Sequence, residues 1–146
     1  MQWFECKVKY DKTLETGVVK TVTEPYLVDA LSFTEAEARI TEEMQPYISG
    51  EFTVSTVRRV NLSDVFRNDS GDRWYKVKTN FITIDEKTAS FQLVQASEFK
   101  EALEVFMEGM KDTMADFEIA SITETPLMDV YDAKLTETLA DKAAKK

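Results

Sequence analysis

The segment Tyr26-Leu27-Val28-Asp29-Ala30 decides the fold, because the chain repeats it 66 residues later as Gln92-Leu93-Val94-Gln95-Ala96. The similarity extends through the residues that follow, and a one-residue deletion then changes the offset to 65. Similarity at a fixed spacing indicates a repeated structural unit. The corresponding pairs outside the quoted segments are Phe33 and Phe99, Ala36 and Ala102, Met44 and Met110, Phe52 and Phe117, Val54 and Ile119, Val57 and Ile122, Asp64 and Asp129, and Val65 and Val130.

Each copy reads as strand, strand, helix, strand. Residues 3–10 alternate apolar and polar side chains, which is typical of a half-buried strand. Ser32 and Glu35 have the spacing of a capping box, and Ser97 is the expected cap of the second helix. Residues 61–66 are expected to leave the third strand as a short turn of helix. The other predicted strands are 18–28, 52–60, 74–84, 89–96 and 117–123, and the predicted apolar helix stripes are Phe33, Ala36, Ile40 and Met44, then Phe99, Ala102, Leu103, Phe106 and Met110.

The duplication predicts an α+β fold: internally duplicated β-β-α-β units that form one pseudo-twofold domain with antiparallel sheets and two packed helices. One such unit has little apolar surface for independent stability, so we expect a single domain over 1–133, built from repeats 1–67 and 72–133. The copies could share one sheet or face two sheets across one interior. Residues 134–146 are expected to be a weakly ordered C-terminal tail.

Composition restricts the class of protein. Eighteen basic and 27 acidic side chains give a net charge of −9, which opposes non-specific binding to nucleic acid or anionic membranes. The chain has no histidine, and Cys6 is its only cysteine, so no disulfide can form within it. No secretion signal and no apolar run of about 20 residues is present, so a cytoplasmic protein without a membrane segment is expected.

Catalytic motifs are missing from the sequence. It contains no phosphate-binding glycine loop, no GxGxxG, HExxH, GxSxG or CxxC. Cys6 lies in the apolar register of its strand and is expected to be a small buried side chain. The sequence therefore predicts a protein that is not an enzyme and has no cofactor or metal site; paired carboxylates that hold a metal ion are the remaining catalytic hypothesis.

One set of residues has a possible binding role. On the first strand of each copy a tryptophan shares a face with two lysines, and arginines lie nearby in the sequence. Exposed aromatic rings between cations are what single-stranded nucleic acid requires, because bases stack on the rings and cations neutralise phosphates. The alternative is that each tryptophan covers the sheet or lies in a protein interface. The candidate residues are Trp3, Lys7, Lys9, Arg58, Arg59, Arg73, Trp74, Lys76 and Lys78.

Four segments resemble one known family: 3–8 (WFECKV), 24–39 (EPYLVDALSFTEAEAR), 71–76 (GDRWYK), and 93–97 with 99–103 (LVQAS and FKEAL). The family is similar over nearly the whole chain, to about Tyr131. It is an uncharacterised family of short proteins from Bacteroidetes-type bacteria and their phages and mobile elements, labelled only as a domain of unknown function. The resemblance implies a small cytoplasmic accessory protein and supplies no catalytic residues.

Two functional hypotheses follow. The first is a non-catalytic interaction module that binds another protein or its own copies, as an accessory protein of a phage or mobile element. The second is an accessory protein of replication or recombination that binds single-stranded nucleic acid through the Trp/Lys set. The acidic helix faces and missing catalytic motifs favour the first hypothesis.

Overall fold

The computed structural model describes residues 2–132, which form eight strands and two α-helices. The expected α+β class is confirmed, with two mostly antiparallel four-stranded sheets and one helix packed on each. The elements in chain order are β1 (Gln2–Thr13), β2 (Val19–Ala30), α1 (Phe33–Met44), β3 (Phe52–Val60), β4 (Asp64–Phe66), β5 (Arg73–Ile82), β6 (Lys87–Ala96), α2 (Phe99–Gly109), β7 (Phe117–Thr125) and β8 (Val130–Tyr131).

The two sheets have the same topology, which confirms the duplication. Their strand orders are β3-β1-β2-β8 and β7-β5-β6-β4, so each element occupies the place of its counterpart. The pairing of β1 with β3 shifts register between Lys7 and Val8, and that of β5 with β7 shifts between Lys78 and Thr79. These positions correspond in the two copies. A β-bulge preserved at one place in both copies is a structural feature of the repeat itself.

Residues 64–66 form a strand, so the expected turn of helix in this region is wrong. β4 pairs in parallel with β6, with Val65 opposite Leu93, while β8 pairs in parallel with β2, with Val130 opposite Leu27. The strand that ends the first sequence repeat therefore completes the sheet of the second, and the reverse also holds. As a strand, these residues pair their backbone N–H and C=O groups with a neighbouring strand. An isolated helical turn would leave most of those groups without a hydrogen-bond partner.

This exchange of β4 and β8 between the two sequence repeats explains where the compact units begin and end. One unit contains residues 2–60 and 127–132, and the other contains residues 61–126. Each has a core cluster of its own, and Tyr131 packs against the first cluster while Phe66 packs against the second. Each strand supplied by the other sequence repeat thus brings an aromatic side chain to the interior that it completes.

The two helices begin differently. Ser32 is the N-cap of α1, and its Oγ accepts a hydrogen bond of 3.1 Å from the Glu35 N–H, as the capping box predicts. The expected cap of α2 is wrong by one residue, because its N-cap is Glu98, which makes no side-chain capping bond. Ser97 instead donates its N–H and its hydroxyl to the Glu101 carboxylate. The Glu101 side chain therefore holds Ser97 in place just before the helix.

Most apolar residues that the strand and helix patterns predict lie in the core, but Phe33, the first residue of the predicted α1 stripe, is 48% exposed. Phe4, Cys6 and Val8 of β1 are buried against Ala36, Ile40 and Met44 of α1. In the second unit, Tyr75 and Val77 are buried with Val94, Ala102 and Phe106. The expected weakly ordered tail at 134–146 lies outside the described residues.

Candidate functional site

The two tryptophans of the predicted nucleic-acid set differ in exposure. Trp74 is only 2% exposed, so the expectation that it offers an open stacking surface is wrong. The guanidinium of Arg67 lies 5.8 Å from the centre of its ring. Trp3 is partly exposed at the corresponding position of β1. A base could therefore reach only the ring of Trp3, since the ring of Trp74 is already covered.

The cations of the set lie on both faces of their sheets. Arg59 is paired with Phe4 and its guanidinium lies over the rings of Phe4 and Phe33, on the face that carries α1. Arg73 lies next to Glu124, 3.5 Å away. The other faces carry Lys7, Lys9 and Arg58 in the first unit and Lys76 and Lys78 in the second, by strand alternation. The structure therefore does not bring the nine residues together.

Several of these cations already have partners. Arg58 forms an ion pair of 3.2 Å with Glu5, and Lys76 lies 4.6 Å from the centre of the Phe91 ring. Lys7 and Lys9 are exposed. What remains accessible on one face is a partly exposed Trp3 with two lysines, which is a smaller surface than the sequence predicted.

A cavity of about 490 Å³ lies beside α2 in the second unit, between the helix and β4. Gly109 is needed at its wall, because a Cβ there would lie 2.7 Å from the Phe66 ring. The remaining lining residues are Val65, Arg67, Asn68, Glu104, Val105 and Glu108. The cavity is open and of mixed polarity, and nothing in it marks a reaction centre.

A second cavity, of about 550 Å³, lies between α1 and β3 in the first unit. Glu37, Thr41 and Gln45 form its helix side, and residues 50–54 form the other side. These three side chains make this flank of α1 polar. The first repeat therefore presents a hydrophilic groove beside its outermost long strand.

The corresponding flank of α2 is apolar. Leu103 and Met107 replace Glu37 and Thr41 at the 66-residue offset, and Phe99 precedes them by one helical turn. Phe99, Leu103 and Met107 are 57, 37 and 49% exposed. We call these three residues the α2 stripe. Single exposed apolar side chains are ordinary, but three in a row on one helix flank are typical of a surface that contacts a partner.

The position of the α2 stripe follows from the contacts on either side of the helix. Val105 and Gly109 face β4, and Phe106 contacts Phe117 of β7 with ring centres 6.0 Å apart. The stripe lies on the flank away from β4, as its counterparts in α1 lie beside β3. It therefore borders β7, an edge strand of its sheet.

Sequence reasoning assigned Phe99 and Leu103 to the buried stripe of the second helix, and both predictions are wrong. The buried side of α2 is narrower and consists of Ala102, Phe106 and Met110. Together with the α2 stripe, this buried side gives the helix an apolar surface that is much wider than its contact with the sheet. A comparison of the two repeats could have found the signal, because the first has Glu37 and Thr41 where the second is apolar.

The charge around the α2 stripe is strongly negative. Residues 98–125 contain eight acidic and two basic side chains, a net charge of −6, whereas the corresponding residues 32–60 contain five acidic and three basic, a net charge of −2. Such a field attracts cationic partners over about 8–10 Å at physiological salt. The second unit thus combines exposed apolar area with a negative surrounding.

Three features of the described residues bear on possible functions: the reactivity of the Cys6 thiol, the possible metal ligands and the potential to span a membrane. Burial, followed by the nearby carboxylates of Glu5 and Glu37, raises the pKa of the Cys6 thiol to about 12. This thiol is therefore a poor nucleophile near neutral pH. Residues 2–132 contain no group of three or more cysteine, aspartate or glutamate side chains placed to hold a metal ion. No helix within that part of the chain is long and apolar enough to cross a membrane.

A search of curated proteins finds no match. The family model described as a domain of unknown function, DUF4494, matches residues 2–133. This match includes both sequence repeats and both exchanged strands. The chain therefore belongs to the DUF4494 family.

Proposed function

We propose that this protein is a non-catalytic interaction module that binds another protein through the α2 stripe. The observation that carries the proposal is the difference between the repeats: Leu103 and Met107 are exposed and apolar where Glu37 and Thr41 are polar. The two helices otherwise pack on sheets of the same topology. Folding does not require the additional apolar area, because α1 packs with a polar flank.

The energetic case rests on the exposed area. Large apolar side chains release about 25 cal/mol for each Å² removed from water. Leaving Phe99, Leu103 and Met107 exposed forfeits that gain in the free protein. A bound partner would recover it, and methionine adapts its shape to different partner surfaces.

The test is to replace the α2 stripe by the residues of the first repeat, as Leu103→Glu with Met107→Thr. We expect the variant to lose at least about 90% of the capture of host proteins that the wild-type chain binds, because buried apolar contacts dominate such interfaces. The free energy of unfolding should change by about 1 kcal/mol at most, since Leu103 and Met107 lie outside the core cluster and are 37 and 49% exposed. Bound proteins are quantified by mass spectrometry after affinity capture.

The matched control is Glu37→Gln with Thr41→Ser, which alters the polar flank of α1 at the corresponding positions. It should retain full capture. Equal capture by the stripe variant and the wild type would rule out the α2 stripe as the binding surface. The solution mass of each variant, measured by light scattering, shows whether self-association depends on the same residues.

Binding of single-stranded nucleic acid remains the second candidate, and the observation in its favour is the exposed group of Trp3, Lys7 and Lys9 on one face of β1. It predicts quenching of Trp3 fluorescence by a labelled oligonucleotide, with an affinity that falls steeply as salt rises. Trp3→Phe with Lys7→Ala should remove the binding. An unchanged fluorescence at low salt would eliminate this candidate.

The cellular setting belongs to the proposal as well. The resemblance described above supports an accessory protein of a phage or mobile element, acting in the cytoplasm of its bacterial host. Formation of a homo-oligomer is a further and separate part of the proposal. The solution mass measurement above tests it.

A further inference from the structure

We infer that the surface between α2 and the outer edge of β7 binds an extended, basic segment of a partner protein, which pairs with β7 as a fifth strand of the sheet. This inference rests on the proposed function and specifies its partner. The segment's alternate apolar side chains would pack on the α2 stripe, and its basic side chains would face the acidic surroundings.

The first support is the open edge of β7. Within residues 2–132, β7 pairs with β5 alone and ends the strand order of its sheet. Residues 117–124 therefore direct a row of backbone N–H and C=O groups away from the sheet. Such an edge is a template for another strand, and edge addition beside a helix is a recurrent mode of peptide recognition.

The second support is the composition of β7. Edge strands of soluble proteins are commonly protected by lysine, other charges or proline. β7 contains no lysine, arginine or proline, and its two charges, Glu118 and Glu124, each form an ion pair with a basic side chain of the same unit; its counterpart β3 carries Arg58 and Arg59. Arg59 also lies over the ring of Phe33, the first apolar residue of α1, which is still 48% exposed. At the 65-residue offset β7 has Glu124 instead, which is bound to Arg73, so no cation of β7 lies over Phe99, which is 57% exposed.

The bulge in β7 determines which part of the edge is used. Lys78 is opposite Ser121 and Thr79 is opposite Ile119, so Ala120 is the extra residue that interrupts the edge. The uninterrupted part runs from 121 to 124. It lies toward the N-terminal end of α2, because Phe106, near the other end, contacts Phe117. An added strand would therefore pack on Phe99 and Leu103.

The third support is charge. The −6 of residues 98–125 favours lysine and arginine in the bound segment and disfavours an acidic one. The same charge disfavours a second copy of this chain, because two β7 edges would bring two such segments together. The chemistry of the site thus selects a basic partner over self-pairing.

The test uses the full chain and two synthetic peptides. One is an eight-residue peptide in which valine or isoleucine alternates with lysine or arginine; the other is a longer helical peptide of equal charge with apolar residues three and four apart. We expect the extended peptide to bind with a Kd in the micromolar range and to protect the backbone amides of residues 121–124 from hydrogen exchange. Leu103→Glu should weaken binding at least about tenfold.

Two controls address the pairing itself. N-methylation of the peptide at the alternate amides that face β7 should abolish binding, while methylation of the intervening amides should leave it intact. Ser121→Lys should block the edge, and Thr56→Lys, its counterpart on β3, should not.

Three outcomes of the peptide experiments would overturn the inference: no binding of the extended peptide up to about 1 mM, binding that tolerates both methylation patterns, or preference for the helical peptide without protection of residues 121–124. The last outcome leaves the proposed function standing, because the α2 stripe would still bind a protein. A doubled solution mass that Ser121→Lys removes would show that a second copy occupies the edge, and would likewise overturn the inference.

Discussion

Four ionisable side chains of the first unit, Cys6, Tyr10, Tyr26 and Tyr131, hold their protons more tightly than they would in water. Burial is the main cause at each site, and it raises the pKa of Tyr10 to about 12, with a further contribution from the hydrogen bond that its hydroxyl donates to Glu24. Burial also raises the pKa values of Tyr26 and Tyr131, whose rings stack with centres 6.1 Å apart. The folded state therefore stabilises the protonated, neutral form of each of these four side chains.

These groups predict a loss of stability at alkaline pH. Below about pH 8 folded and unfolded chains both keep these protons; as the pH rises toward 12, the unfolded chain releases them first, the Cys6 proton before those of the tyrosines, so the free energy of unfolding falls. We expect a lower urea midpoint at about pH 10.5 than at about pH 8. Tyr131→Phe, which keeps the ring stack, should reduce the difference, and Tyr47→Phe, at an exposed ring, should not. A midpoint independent of pH over this range would contradict the prediction.

At the scale of the element, α2 and β4 fit together because residue 109 is glycine. A Cβ at this position would lie 2.7 Å from the ring of Phe66, which packs edge-to-face on Phe106 with ring centres 6.3 Å apart. The first unit has Glu43 at the corresponding position and Tyr131 in place of Phe66. The close approach of helix and exchanged strand is therefore particular to the second unit.

We predict that Gly109→Ala destabilises the protein by about 1 kcal/mol. Alanine would gain about 1 kcal/mol of helix propensity, but forcing the Phe66 ring aside costs about 1–3 kcal/mol. Phe66→Leu should relieve the clash, so the double variant should be more stable than the sum of the single effects. Glu43→Ala in α1 is the control and should change stability little. A Gly109→Ala protein with a higher denaturation midpoint would disprove this account.

At the scale of the whole molecule, the exchanged strands make the sequence repeats interdependent. Residues 1–67 contain β4 but lack β8, and residues 68–146 contain β8 but lack β4. Each fragment alone would leave β2 or β6 without its parallel neighbour and would remove Tyr131 or Phe66 from its core. Removing the aromatic residue that completes a small core lowers the stability of the fragment strongly, because small units bury a small fraction of their surface.

We therefore predict that fragments 1–67 and 68–146 do not fold separately into stable monomers and recover the native fold when mixed. The recovery should give a 1:1 complex with the circular dichroism and amide exchange of the intact chain. Val65→Asp in the first fragment should prevent it, whereas Lys12→Asp in the exposed part of the β1–β2 hairpin should not. Two independently stable monomeric fragments that ignore each other would contradict the exchange.

Sequence reasoning found the duplication, the fold class and most elements, because these depend on local periodicity and capping. It misassigned residues 64–66, because three residues carry too little pattern to distinguish a strand from a turn, and only the neighbouring β6 makes them a strand. It left open whether Trp74 is an exposed stacking surface or covers its sheet, because period-two alternation identifies the two faces of a strand but not what covers each face.

The amino-acid sequence by itself determined that this chain is a duplicated α+β protein with a polar α1 flank, an apolar α2 flank and a negative second half, because these properties are local and repeat at a fixed offset. Only the tertiary structure decided which sheet each short strand joins, which tryptophan is buried, and that the α2 stripe lies beside an open strand edge. Those features depend on contacts between residues far apart in the chain. The physical reason is that the hydrogen bonds of a strand edge and the apolar contacts of a helix flank can be made by any element that folding brings beside them, and local sequence does not specify which one.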